Sequence, residues 1–198
     1  YTDPALFDWL QELNYEYLRL GQAREDLAEV EPLLRDADII ALHLDALKQG
    51  EAPGQLNPSP SGFFLEEAAQ LCRYAGMSDK LRSFGIYGID SSSKRKLVPT
   101  AQAVAQLIWY FTEGYYQRLG DYPVTNKGLT EYVVDWKGEA EKLTFWKSPK
   151  SGRWWLQVPV KTHRKQQRHR LIPCSYNDYK KATQQELPDR LWNAFRRF

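Results

Sequence analysis

Histidine, cysteine and methionine are scarce in this sequence, with three, two and one residues in 198. Cys72 and Cys174 lie far apart without metal-type spacing, so two reduced thiols are expected, not a disulfide framework or a metal knuckle. No run reaches the roughly 18 consecutive apolar residues that a membrane helix needs, and the first residues lack the basic, apolar, small-residue progression of a signal peptide. A soluble cytoplasmic protein with no membrane partner is the expectation. No serine or cysteine stands in a nucleophile-elbow context, which removes support for covalent triad chemistry. Internal repeats and low-complexity segments are absent. The chain begins at Tyr1 and not at Met, and is expected to be a processed product or a piece of something longer.

What is present is enough for a folded core: 42% of the residues are hydrophobic, which suits one sizeable domain or one domain with a small appendage. The net charge of +2 hides a strong asymmetry. Residues 1–90 carry seven Lys/Arg against sixteen Asp/Glu, a balance of −9, whereas residues 91–198 carry twenty against nine, or +11. The halves can attract each other, or the basic half can meet an acidic partner. Six of the seven Trp also fall after residue 108.

The hydrophobic periodicity changes with the charge. A short strand is expected over residues 13–21, where apolar and polar residues alternate up to Gly21. Leu27, Val30, Leu33 and Leu34 recur at helical spacing within residues 24–35, and Pro32 is expected to interrupt or restart that helix. The near-continuous apolar run over 38–45 reads as a central strand buried on both faces. After a Pro/Gly-rich loop, a helix over 63–74 presents Leu65, Ala68, Ala69 and Cys72 on one side, with Gly76 as its C-cap, and a second buried strand covers 81–89. Asp90 to Lys96 reads as a solvated turn. Thr100 is then expected to cap a helix reaching Leu119, with Val104, Ile108, Phe111 and Tyr115 as its apolar stripe and Gly120 as its stop. Helix and strand alternate here as in a parallel α/β sheet.

From Tyr122 the pattern becomes three short aromatic strands, over 131–136, 142–146 and 153–158, with separations that suit antiparallel hairpins. One or two helices broken near Pro188 follow, Ser175 and Asp178 forming a capping-box-like pair. The expected division is residues 1–121 as an α/β domain and 122–198 as a β-hairpin and helical extension.

The candidate site is the end of the apolar run at 38–45. His43 and Asp45 are two residues apart, so a strand would aim an imidazole and a carboxylate from one face past its C-terminal end, where ligands of open α/β sheets bind. They are candidate metal ligands, or partners for one another and for nearby backbone. The residues around them, His43-Leu44-Asp45, Ala52-Pro53-Gly54, Pro58, Pro60, Gly62, Glu66-Glu67-Ala68, Arg73 through Lys80 and Thr100-Ala101-Gln102, resemble the ureohydrolase family of arginase, agmatinase and formimidoylglutamase, closest to a formimidoylglutamase-like branch of Bacteroidota and to its C-terminal portion. The resemblance implies a three-layer α/β/α sandwich around a parallel sheet, and hydrolysis of an amidino C–N bond by water bridging two Mn2+ ions.

In that family the strand ends in Asp-x-Asp. Here Asp45 keeps the second position while His43 replaces the first, and Gly88 aligns where family enzymes place a substrate-contacting Glu. The earlier motifs Gly-Gly-x-His and Asp-x-His-x-Asp, which complete the metal site, are absent from this chain. Two readings follow. In the favoured one the protein is catalytically degenerate and serves as a binding or assembly module, with no Mn2+ held by this chain alone. In the alternative it belongs to an Mn2+-dependent hydrolase of linear amidines, such as formimidoylglutamase, whose other ligands lie in a missing N-terminal half. The expected partner is that half or another protein chain. Family enzymes often form homo-oligomers, and no surface in the sequence decides whether this chain does.

One further motif stands apart. Residues 161–170 hold five Lys/Arg in ten positions, and Arg164, Lys165, Arg168 and Arg170 are candidate partner-binding residues. A phosphate backbone is one ligand for such a run. A solvated loop is the preferred reading, and nucleic acid is not the expected partner, because the overall charge is modest and aromatics at strand spacing are usually core.

Overall fold

The computed structural model describes residues 4–123, 126–136, 141–158, 171–186 and 188–197. It divides the chain into two compact units, Arg19–Tyr122 and residues 1–18 together with 123–198. The first eighteen residues thus group differently from the sequence-based division at 121/122.

Helix α1 (Pro4–Glu12) is followed by irregular chain, not by the strand expected over 13–21. The alternation there has another use. Gln11 Nε2 donates to the Tyr17 hydroxyl at 3.0 Å and the Phe7 and Tyr17 rings lie 5.4 Å apart, so the segment turns back on α1 through the left-handed Asn14 instead of pairing with a strand. Helix α2 (Leu20–Glu25) leads through a 3-10 turn, Leu27–Val30, to α3 (Glu31–Asp36). Pro32 occupies the first turn of α3, where its missing N–H has no intrahelical partner to lose, and so restarts the helix.

Strand β1 (Ile39–His43) pairs in parallel with β2 (Ser83–Tyr87), with His43 opposite Tyr87 and Leu42 opposite Ile86. Between them runs α4 (Leu65–Gly76), and after them the long α5 (Lys94–Tyr116). Leu42, Phe84 and Ile86 pack with Leu44, Leu47, Ala68, Ala69, Cys72 and Leu107 into one core, and Phe84 stacks on Phe111 at 4.3 Å. Burial on both strand faces, expected from the apolar run, is not observed. Ile39 is 72% exposed and Tyr87 57% exposed on the face away from the helices. The reason is architectural: α4 and α5 pack on the Leu42, Phe84 and Ile86 face of this two-stranded sheet, and within this unit no described helix packs on the face of Ile39 and Tyr87.

Two further expectations give way to the closeness of α4 and α5. Gly76 ends α4 as a contact residue and not as a left-handed cap, because a β-carbon there would collide with the Phe111 carbonyl oxygen. A β-carbon on Gly114 would collide with the Arg73 carbonyl oxygen in the same way. The fully buried positions of α5 are Thr100, Ala103, Leu107 and Gly114, the last admitting the α4 backbone, while Val104 and Phe111 pack at the edge of the core and Ile108 and Tyr115 are half exposed. The helix also begins earlier than expected. Thr100 lies inside it, its hydroxyl donating to the Lys96 carbonyl and accepting from the Gly54 amide, each at 2.8 Å. Lys94 to Lys96 form the first turn.

In the second unit, β3 (Thr130–Trp136), β4 (Glu141–Lys147), β5 (Trp154–Gln157) and β6 (Leu171–Cys174) form one antiparallel sheet in that order. Helices α6 (Tyr176–Thr183) and α7 (Asp189–Arg197) follow, and Ser175 and Asp178 close the expected capping box on α6. Trp154 and Leu156 on one face of β5 and Trp155 on the other are all buried. Tyr179 lies over Trp154 and edge-on to Phe145 and Tyr132, so much of the aromatic content is core.

Candidate functional site

His43 ends β1 and caps a 3-10 turn, Leu44–Ala46, which carries Asp45. The chain turns here because the His43 imidazole offers the Asp45 amide an acceptor, with Nδ1 at 3.4 Å from that nitrogen. The same Nδ1 is 3.4 Å from Asp45 Oδ2. The structure therefore brings the two sequence-predicted residues together, the imidazole half exposed and the carboxylate mostly covered.

Asp45 is held from its other side by Asn57. The Asn57 amide donates to Oδ1 at 3.2 Å and its Nδ2 donates to Oδ2 at 2.8 Å, so each carboxylate oxygen accepts a bond from one residue of the Pro/Gly-rich loop. Gln55 fastens the same loop from within. It is 2% exposed, and Nε2 donates to the Leu44 and Leu47 carbonyls, both at 2.8 Å. Gly62 makes the return possible: it has φ +154° and a β-carbon on it would stand 2.7 Å from the Leu47 carbonyl oxygen.

Gly88, immediately after β2, has φ +84°. A β-carbon there would sit 2.6 Å from His43 Nε2 and 2.8 Å from Nδ1. The imidazole thus lies over the bare α-carbon, in space that any other side chain at 88 would need. Tyr87 behaves similarly, its ring folding back over Gly85 so that a β-carbon at 85 would be 2.5 Å from the hydroxyl.

At the far end of the loop, Glu67 accepts from the Phe64 amide at 2.8 Å and from Arg24 Nε at 2.9 Å. Burial alone would raise its pKa, but these two donors and the charge of Lys48 outweigh it and hold the carboxyl below the ordinary glutamate range. Cys72 is pushed up to about 12 by burial and is an inert core thiol. Cys174 is buried as well.

Sequence reasoning missed Asn57, Gln55 and Thr100 as the groups that fasten the loop, and the packing of His43 on Gly88. The signal available for the last was the joint departure of positions 43 and 88 from the ureohydrolase pattern. Arg164, Lys165, Arg168 and Arg170 lie outside the described residues.

Among the described residues, these groups do not make up a binuclear Mn2+ centre. Two donors stand together, one of them a carboxylate whose oxygens both accept from Asn57. Among the described residues, no group of three or more His, Cys, Asp or Glu is arranged to hold a metal ion. No helix of the described residues is long and apolar enough to cross a membrane.

No protein-family model matches the sequence. No curated protein matches it either. Solved structures do. Formiminoglutamase of Trypanosoma cruzi, in a structure with Mn2+, is similar at 19% identity with a TM-score of 0.51, covering 58% of this chain and 41% of that one. Formimidoylglutamase from Bacillus subtilis subsp. subtilis str. 168 is similar at 20% identity and TM-score 0.53, covering 60% and 39%. An arginase superfamily protein from T. cruzi gives 17% and 0.52, covering 59% and 40%. The chain spans about two fifths of the length of these proteins. At such identities the likeness is one of backbone architecture, and what it establishes for the matched part of this chain is the fold of the arginase superfamily.

Proposed function

We propose that this chain is part of a ureohydrolase-like protein in which the strand end has become a structural knot, and that it serves as a binding or assembly module and not as an Mn2+-dependent hydrolase. The observation that carries this reading is the imidazole of His43 lying where a β-carbon at position 88 would be. It joins the two departures from the family pattern into one arrangement, which leaves no room for the Glu that would grip an amidino head. Asp45, the retained ligand position, spends its oxygens on the loop through Asn57.

The exposed face of β1 and β2, with Ile39 and Tyr87, supports a partner that is itself polypeptide. Parallel sheets are normally covered on both faces. A segment carrying further strands and helices, from the same protein or from another chain, would supply that cover.

A second reading keeps the enzyme. His43 and Asp45 converge at the C-terminal end of a parallel strand, 3.4 Å apart, and a further segment would add the remaining metal ligands. Incubation with Mn2+ and formimidoylglutamate of the intact protein, with the further segment that the second reading requires, separates the two. The module reading predicts no release of formamide or ammonia. Release that disappears in Asp45→Ala would establish the hydrolase.

A further inference from the structure

One end of the antiparallel sheet gathers rings and cations. Thr130, Lys147, Trp154 and Cys174 form a single row across the four strands, so the chain leaving β6 enters α6 at this end, with Tyr176 in its first turn. Trp154 stacks on Tyr179 at 4.9 Å, Tyr179 on Tyr176 at 5.9 Å, and Tyr132 lies 4.8 Å from Trp154. Trp154 is buried, but Tyr176 is 54% exposed. Two ammonium groups flank the rings: Lys147 Nζ is 5.3 Å from the Trp154 centroid and Lys180 Nζ 5.5 Å from that of Tyr176.

The charge at this end is largely of one sign. The register sets the segment before β3, with Lys127, and the β4–β5 turn, with Lys150 and Arg153, at the same end of the sheet. The acids there are Glu131 and Asp178. Glu131 alternates with Tyr132 and so belongs to the opposite face of the sheet. Asp178 accepts from the Ser175 amide at 2.8 Å and lies 3.4 Å from Arg190 Nε. Among the described residues, no carboxylate pairs with Lys147 or Lys180. Packing a core calls for neither an exposed ring nor ammonium groups gathered around it.

We infer that this sheet end binds single-stranded nucleic acid, with a base stacked on Tyr176 and the adjoining phosphates met by Lys147, Lys150 and Lys180. Ring and charge together select this occupant. Acidic side chains would meet the cations but gain nothing from the bare ring, and a duplex keeps its bases stacked on one another. The modest net charge of the whole chain, the ground for not expecting nucleic acid, does not describe this local surface. The inference uses residues of the second unit alone and stands apart from the chemistry at His43 and Asp45.

Fluorescence anisotropy of a labelled oligodeoxythymidylate of about 15 nucleotides, titrated with the full chain at low salt, tests it. The expected result is saturable binding whose dissociation constant rises about tenfold or more in Tyr176→Ala, the loss of one stacked base, and returns in Tyr176→Phe. Lys180→Gln is expected to make the slope of log affinity against log salt shallower by about 0.7, one phosphate contact. A duplex of the same length and polyglutamate are both expected to bind more weakly than the single strand. Circular dichroism checks that each variant keeps its fold, and the Lys180→Gln slope decides if Tyr176→Ala does not. Absence of binding at low salt would overturn the inference. So would an affinity indifferent to Tyr176→Ala, which would place the contact elsewhere on the chain, or a duplex or polyglutamate bound as tightly as the single strand, which would mark a general polyanion surface.

Discussion

The imidazole of His43 and the α-carbon of Gly88 share one space: a β-carbon at 88 would come within 2.6 Å of Nε2. Parallel pairing of β1 and β2 brings these residues, forty-five positions apart, to adjacent strand ends. Each therefore constrains the other, and Gly88 is further constrained by its own φ of +84°.

Gly88→Ala is predicted to destabilise the chain by about 1–3 kcal/mol, combining the left-handed backbone cost with the collision. Adding His43→Ala should recover part of that loss, a coupling of about 0.5–3 kcal/mol in a double-mutant cycle by urea unfolding. Strict additivity would mean that the two residues do not share the space.

Alanine at Gly76 or Gly114 poses two effects of opposite sign. Helix propensity favours Ala over Gly by about 1 kcal/mol. The β-carbon, however, would meet the backbone of the opposing helix, which no side-chain rotation relieves. Packing is expected to win, with a net loss of about 1–3 kcal/mol read as a lower thermal midpoint.

Gln55→Leu preserves bulk but removes the donor to the Leu44 and Leu47 carbonyls. The predicted cost is about 1–3 kcal/mol for each buried acceptor left without a replacement. Asn57→Ala, at an exposed position, should cost about 1 kcal/mol or less. Hydrogen exchange should quicken across residues 47–62 in both, and more in the first.

Glu67 supplies a pH signature. Its folded pKa lies below its unfolded one, so its contribution is fully present above the unfolded value and is lost as pH falls through the folded value. Glu67→Gln should therefore lower stability at neutral pH by about 1 kcal/mol, through the weakened capping of α4, and flatten the acid limb of the unfolding midpoint measured against pH.

Much of the architecture was legible because local pattern and tertiary role agree. The apolar run at β1, the Pro/Gly loop, α4 and the capping box at Ser175 all follow from short-range chemistry. Failures occurred where a distant contact decides. Pro99 followed by Thr100 looks like a helix start, yet Thr100 serves as a buried link to Gly54 within α5. Of the apolar stripe expected on α5, Val104 and Phe111 do pack against the core, whereas Ile108 and Tyr115 are half exposed, because the close approach of α4 is made at Gly114. Strand β6 was missed because Pro173 breaks the pattern, although an edge strand tolerates it. The exposed face of β1 could not be read from an apolar run that says nothing of what covers it. At the candidate site, His43 and Asp45 were visible as a pair, whereas Asn57, Gln55 and the fit of His43 on Gly88 depend on loop closure and strand register.

The central claim is that His43 and Asp45 build a structural knot and do not hold metal on their own. Electron paramagnetic resonance of Mn2+ titrated into the full chain tests it most directly. The account predicts that the signal of free aqueous Mn2+ grows in proportion to the ion added, and identically in Asp45→Ala. A stoichiometric loss of that signal in the native chain, abolished by Asp45→Ala, would contradict it.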